Sequence, residues 1–418
     1  MKYFSAIRVI PWRYIILIFT SGVVSVVLFL GAAYWIIREY GTGERLPQRK
    51  SQINIELLQE RADHQNQALQ RNLADRERLI ESVHAIQQTN PNYTVDFLIL
   101  SGGGDCGAFG TGFLRGWSSV APGPLARPVF EGVSGVSTGG FIAPSAFLGT
   151  VNDDIKIDNL FRNPQPDWVQ LRGMLFFHPD NSSLAEIPGL RRELNSYIDL
   201  AFAQRLVEAG ASGRQLLIQA TDADEGASRT FDCVAAARTA VASGDVTPLR
   251  KIISASAAVP AVFSPEEIES DLFIDGIVTG NIFYGFYGGT LKNSETFGSM
   301  WKKRYPDSPI PKIRYWVIIN NYLRSTVMTA QPQWISLAQR GLEIVTRSFT
   351  EITLRNLFLF AEVTRLRGEG DCEVRWVAVP PTWQTPNTDQ FSVEKMQSLS
   401  DLGRSMGENT NSWNSQSP

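Results

Sequence analysis

The sequence is poor in the residues that carry much familiar chemistry. Only three of its 418 residues are histidine, at positions 64, 84 and 178, and only three are cysteine. Three cysteines cannot staple a chain of this length, and without a Cys-x-x-Cys pair nothing suggests a zinc site. Basic and acidic residues, 39 and 42, nearly cancel to a net charge of −3. With no basic block, the chain is a poor candidate for a dedicated nucleic-acid binder. No internal repeat or low-complexity tract is visible. At 43% hydrophobic residues the chain is too apolar for disorder. Its length would suit two or three domains of about 150 residues.

What is present begins with a long apolar run. Tyr14 to Ile37 holds 24 residues without a charge. A helix rises about 1.5 Å per residue, so such a run is long enough for a hydrocarbon core of about 30 Å. The expectation is a transmembrane anchor over 14–37, after a short basic segment 1–13, making a single-pass membrane protein. The competing reading is a cleaved leader, with Lys2, Arg8 and Arg13 before the apolar core and Gly31-Ala32-Ala33 at the cleavage point. Both flanks are basic, so either orientation remains open.

Residues 38–91 read as a polar helical spacer. Ser51 to Gln88 lacks glycine and proline, and Leu58, Ala62, Leu69, Leu73, Ile80 and Val83 recur at helical spacing. Gln65 and Arg76 interrupt any heptad seam. The helix is therefore expected to pack loosely on the next domain, with at most a weak homodimer through it.

Residues 92–405 read as one α/β domain, and the polar tail 406–418 is expected to be flexible. Short apolar runs at Val95–Leu100, Val129–Glu131, Leu216–Ala220, Leu272–Ile274, Trp316–Asn320 and Val374–Val379 read as buried strands between helical stretches. That alternation predicts a mostly parallel or mixed sheet with helices on both faces, and a functional crevice at the carboxyl ends of the strands.

Ser101-Gly102-Gly103-Gly104-Asp105-Cys106-Gly107 follows the first strand and opens a helix. Its glycines leave backbone N–H groups uncovered near a helix N-terminus, which favours negative charge. It reads as an oxyanion hole, as a phosphate cradle (Gly102, Gly104 and Gly107 also satisfy G-x-G-x-x-G, with Glu131 as the ribose acid), or as a plain turn. Gly135-Val136-Ser137-Thr138-Gly139 is a G-x-S-x-G motif between a strand and a helix. A serine nucleophile needs this arrangement, because the small flanking residues let strand and helix approach while the hydroxyl stays exposed.

A hydrolase triad would place a histidine after the serine, yet only His178 follows Ser137, in the loop-like FFHPD. His64 and His84, in the spacer, read as solvated. Asp275-Gly276 ends the strand-like Leu272–Ile274, and its carboxylate stands at the edge expected to carry the crevice. A nearby, partly desolvated carboxylate can take a serine proton, which gives a Ser137–Asp275 dyad.

These pieces resemble the patatin-like phospholipase family in its order: SGGGDCGAFG (101–110), GVSTG (135–139), SASAAVPAVF (254–263) and the Asp-Gly at 275–276. The resemblance covers about 94–400. It implies a three-layer patatin-like sandwich and a lipid acyl hydrolase with Ser137 as nucleophile and Asp275 as base. Gly102, Gly103, Gly104, Asp105, Cys106 and Gly107 would form the oxyanion hole, and Gly135 and Gly139 the elbow. The implied substrate is an acyl lipid or phospholipid, without cofactor or metal. The chain departs from the family at Cys106, where the loop is often basic, and at Ile277, after the Asp-Gly. An inactive patatin-fold binding module held at a membrane and a nucleotide-binding protein are the alternatives. Ser254 and Ser256 read as packing residues, Asp222 and Asp224 as crevice or turn residues, and Cys106 as a small filler. Cys233 and Cys372 are a conceivable disulfide in an exported domain. Trp334–Phe360 reads as a helix covering the sheet.

Overall fold

A computed structural model of the chain describes residues 11–40, 55–173, 181–283 and 296–418. The chain forms two compact units, 1–49 with 178–181, and 50–177 with 182–418.

In the first unit, α1 (Trp12–Tyr40) is a continuous helix. It occupies the stretch expected to be the transmembrane anchor over 14–37, and that expectation is corrected. Among the described residues no helix is long and apolar enough to cross a membrane. Crossing requires about 20 predominantly apolar residues in succession.

The second unit opens with α2 (Ile55–Thr89), β1 (Thr94–Leu100), α3 (Gly107–Trp117), β2 (Gly132–Val136), α4 (Thr138–Leu148) and α5 (Val151–Arg162). A two-stranded ribbon, β3 (Gln170–Leu171) with β4 (Ala185–Glu186), precedes α6 (Pro188–Tyr197) and α7 (Leu200–Ala209). Next come β5 (Gln215–Asp222), β6 (Ala227–Asp232), α8 (Cys233–Ser243), α9 (Thr247–Ser256), β7 (Glu266–Ile268) and β8 (Asp271–Asp275). Then α10 (Phe297–Arg304), β9 (Lys312–Ile319), α11 (Trp334–Leu366), β10 (Cys372–Ala378) and α12 (Val393–Glu408) complete it.

The main sheet runs β10-β9-β1-β2-β5-β8-β7, with β6 also on β5. Strands β10, β9, β1, β2 and β5 are parallel, whereas β6, β7 and β8 pair antiparallel. Side chains alternate across each strand. Leu98 and Leu100, Trp316 and Ile318 face one core with Phe113, Ile142, Ile253 and Leu399. Phe97 and Ile99, Tyr315 and Val317 face the other, with Leu79, Trp301 and Leu357. The result is the expected three-layer α/β arrangement with a mixed sheet.

Several local expectations are revised. The second strand is Gly132–Val136 rather than 129–131; Val129 is exposed, and the G-x-S-x-G motif itself contains the strand end. The spacer helix does not pack loosely. Leu79, Ile80 and Val83 are buried in the second core, and Arg61 bonds Asp271 at 2.9 Å. His84 is half-buried and stacks on Tyr305 at 3.7 Å rather than standing in solvent. The tail is not frayed: Trp413 is buried among Trp117, Trp316 and Phe113, and Asn414 bridges to Trp376. The reason is aromatic area, since one tryptophan buries as much surface as several small side chains. Helix α11 covers the sheet through Leu354, Leu357 and Phe360, while Trp334, Leu337, Val345 and Leu359 stay exposed. Cys106, Cys233 and Cys372 are all free thiols. His178 lies outside the described residues.

Candidate active site

Strand register brings the predicted pair together. Gly135 and Val136 of β2 lie opposite Ile218 and Gln219 of β5, and the next residue of β5, Ala220, lies opposite Asp275 of β8. One strand, β5, therefore sets the spacing between the strands that carry Ser137 and Asp275. Ser137 Oγ donates to Asp275 Oδ2 at 2.6 Å.

Ser137 stands between β2 and α4 with φ 54° and ψ −125°. A non-glycine residue at positive φ stores strain of about 1–3 kcal/mol, held by its surroundings. Glycines permit the turn. A Cβ on Gly135 would lie 2.3 Å from the Gly139 carbonyl oxygen, and one on Gly139 would lie 2.3 Å from the Leu100 carbonyl oxygen. Ser256 Oγ accepts the Ser137 N–H at 2.8 Å and donates to the Gln219 carbonyl at 2.7 Å. Ser256 is thus a support of the elbow and not only the packing residue its small-residue run suggests.

Asp275 is fully buried at the end of β8. Its Oδ1 accepts the Ile277 N–H at 2.9 Å, which leaves Oδ2 to face the serine. The residue after the Asp-Gly thus contributes its backbone. Burial pushes the Asp275 carboxyl up to about 7, against the Ser137 hydroxyl and the Ile277 N–H, which hold it down. No histidine side chain among the described residues bonds to either member of the pair.

The Gly-rich loop lies directly beside the serine: a Cβ on Gly102 would be 2.9 Å from Ser137 Cβ. Its six residues are not equivalent. The Gly102 N–H is taken by Asn281 Oδ1 at 2.7 Å, the Cys106 N–H by the Gly103 carbonyl at 3.1 Å, and the Gly107 N–H by carbonyls within the loop. The Gly103 and Gly104 N–H groups have no acceptor among the described residues. Gly104 has φ +59°, and a Cβ there would meet open space. Thr138 Oγ1 donates to the Gly104 carbonyl at 2.9 Å, tying the loop to the first residue of α4. Asn320 fixes its start, donating its backbone N–H to Ser101 Oγ at 2.9 Å and its side-chain amide to the Ser101 carbonyl at 2.6 Å.

Asn281 extends this support, since its Nδ2 donates to Thr350 Oγ1 on α11 at 2.8 Å. Neither Asn281 nor Asn320 is signalled by a motif; each could be sought only as a polar residue shortly after a strand that faces the crevice.

Burial, and then the adjacent Asp105 charge, push the Cys106 thiol up to about 12, which fits an inert filler. Asp222 Oδ1 caps the turn after β5 by accepting the N–H groups of Asp224 and Glu225. The nucleotide reading loses its ribose acid. Glu131 precedes β2 at the amino end of the sheet, where it accepts the Tyr93 hydroxyl and the Asp96 N–H. A dinucleotide acid belongs at the carboxyl end of the second strand.

Residues 98–285 match the family model described as patatin-like phospholipase. This segment belongs to that family. Among solved structures, VipD from Legionella pneumophila is similar at 11% identity and a TM-score of 0.31, over 74% of this chain and 66% of that one. The chain thus spans just under two thirds of that protein's length. No curated protein matches the sequence.

Proposed function

We propose that the chain hydrolyses carboxylic esters of acyl lipids, phospholipids among them, through a Ser137–Asp275 dyad and an acyl-enzyme. The observation that carries the proposal is the 2.6 Å hydrogen bond from Ser137 Oγ to a fully buried carboxylate. Asp275 takes the proton as Ser137 Oγ attacks the ester carbonyl carbon. The carbonyl π electrons move onto oxygen, and the Gly103 and Gly104 N–H groups face that oxyanion. Collapse breaks the ester C–O bond, and Asp275 returns its proton to the departing alcohol or lysolipid. Water then attacks the acyl carbonyl with Asp275 again as base, releasing the fatty acid and restoring Ser137.

Electrostatics favours this division of roles. A base is most effective when its pKa lies near the working pH, and Asp275 is pushed up to about 7. Donors fixed toward a developing oxyanion contribute about 3–4 kcal/mol each in other hydrolases.

The test is reaction with a fluorophosphonate, followed by peptide mass analysis, alongside hydrolysis of p-nitrophenyl butyrate and a phospholipid. The expected result is a single adduct on Ser137, with turnover lost in Ser137→Ala and Asp275→Asn. Full turnover in a folded Ser137→Ala variant would end the proposal. A folded chain that takes no label would instead be the inactive binding module.

A further inference from the structure

Asp105 is electrostatically out of place for an oxyanion hole. It follows Gly104 directly and is itself buried, so the loop read as meeting the oxyanion also contains a carboxylate. The fold answers it from a distant part of the chain. Lys395, in the first turn of α12, places Nζ 2.8 Å from Asp105 Oδ2, with only 15% of its side chain exposed. The Phe391 N–H donates to the same oxygen at 3.1 Å. Phe391 has φ +56°, so the chain turns sharply there, just before α12. Cys106 Sγ leans on the other oxygen, Oδ1, at 3.6 Å. Residues 391–395 therefore meet the loop and bring Lys395, the cation paired with Asp105 among the described residues.

We propose that Lys395 is a positioning residue of the hydrolase: it neutralises Asp105 and pins the Gly-rich loop, so that the Gly103 and Gly104 N–H groups meet the oxyanion of a carboxylic ester without an opposing charge. The inference rests on the dyad reading above. It assigns the loop's cation to α12, well beyond the family segment. The sign of the electrostatics separates it from a plain structural tie. A tie loses when either partner is removed. A neutralising lysine loses when it is removed alone, because the buried carboxylate is then uncompensated. Removing Asp105 instead leaves a cation near the hole.

The experiment measures the rate of Ser137 labelling by a fluorophosphonate, and kcat and KM on p-nitrophenyl butyrate, for five chains: wild type, Lys395→Met, Lys395→Arg, Asp105→Asn and the Lys395→Met/Asp105→Asn double variant. Lys395→Met is expected to lower labelling rate and kcat on the order of tenfold to a hundredfold, less than deleting a direct oxyanion donor, with KM little moved. Asp105→Asn is expected to raise both severalfold. The double variant should recover most of the loss, and Lys395→Arg should recover part of it. If Lys395→Met fails to fold, the comparison of Asp105→Asn with wild type still decides, because a tie predicts a fall and neutralisation a rise. A Lys395→Met rate equal to wild type, a double variant as slow as Lys395→Met, or a slower Asp105→Asn would overturn the proposal. Wild-type protein labelled at Ser137 in any of those cases keeps the dyad reading intact; wild-type protein that is never labelled removes both.

Discussion

Ser256 sits directly behind Ser137: its Oγ accepts the Ser137 N–H at 2.8 Å and donates to the Gln219 carbonyl at 2.7 Å. Val136 and Gln219 are register partners in β2 and β5, so this hydroxyl links the two strands where the chain leaves the sheet. It satisfies a buried N–H that the positive φ of Ser137 turns away from any ladder partner. Replacing it by alanine leaves two buried groups unpaired, each costing about 1–3 kcal/mol. Ser256→Ala is expected to lower stability in denaturant titration and to reduce kcat about tenfold with KM nearly constant, since small displacements of a reacting group are costly. Ser256→Thr keeps the hydroxyl and should recover part of the rate.

The dyad predicts a pH–rate profile with one limb. Asp275 must be ionised to accept the serine proton, and burial holds its carboxyl up at about 7. kcat/KM on a neutral aryl ester should therefore rise with pH and level off above about 7. A plateau extending unchanged down to pH 5 would contradict a buried carboxylate base.

Stability should run the other way. Asp275 and Glu131 are both buried, and burial raises both to about 7 from ordinary values of 3.8 and 4.5. A folded-state pKa above the unfolded one gives stability that is fully present below the unfolded pKa and lost as pH rises through the folded pKa. Denaturant midpoints should accordingly fall between pH 5 and pH 8. Asp275→Asn and Glu131→Gln should each flatten that fall, with Asp275→Asn more stable than wild type at pH 8 on the order of 3 kcal/mol. Activity would separate the two variants: Glu131 lies at the amino end of the sheet, so its variant should remain a hydrolase.

Much of the site could be read from residue order because its chemistry demands special backbone. Gly135, Ser137 and Gly139 are legible since only small residues allow β2 and α4 to approach, and Asp275 is legible as a carboxylate at a strand end. The same demand hid the strand itself. Gly132-Val133-Ser134-Gly135-Val136 lacks the branched and aromatic run that usually signals a strand, so the apolar residues just before it drew the assignment away. Strands β6 and β7 are short and half-exposed, with no clear alternation. Asn281, Asn320 and Lys395 act through tertiary contacts that leave no periodic trace. His84 and Trp413 looked solvated or frayed because their neighbours in sequence are polar, while their neighbours in space are aromatic.

Glycine substitutions should sort by what a methyl group meets. At Gly103 it would lie 1.8 Å from the Asn320 carbonyl oxygen, just past the end of β9, and at Gly139 2.3 Å from that of Leu100 in β1, both backbone atoms. Gly103→Ala and Gly139→Ala are expected to fold poorly or to lose activity entirely. Gly104→Ala meets open space and pays only for φ +59°, about 1 kcal/mol. It should fold, as judged by circular dichroism and thermal melting, and report instead on the crevice side of the loop through a lower kcat.

The aromatic anchor of the C-terminus gives a prediction confined to stability. Trp413 lies with ring centroids 4.7 Å from both Trp117 and Trp316 and 5.0 Å from Phe113. Trp117 lies on α3 and Trp316 on β9, so one tail residue closes the gap between the helical layer and the sheet. Asn414 adds a backbone bridge to Trp376, with N–H to carbonyl distances of 2.9 Å in both directions. Trp413→Ala should therefore cost about 3–5 kcal/mol, the range for a buried aromatic whose cavity cannot collapse. Trp413→Phe should cost less, because part of the ring contact survives. Chemical denaturation measures both. kcat of the folded fraction should stay near wild type, because none of these rings touches Ser137, Asp275 or the Gly-rich loop. A Trp413→Ala variant as stable as wild type would mean that the tail packs without holding the layers together.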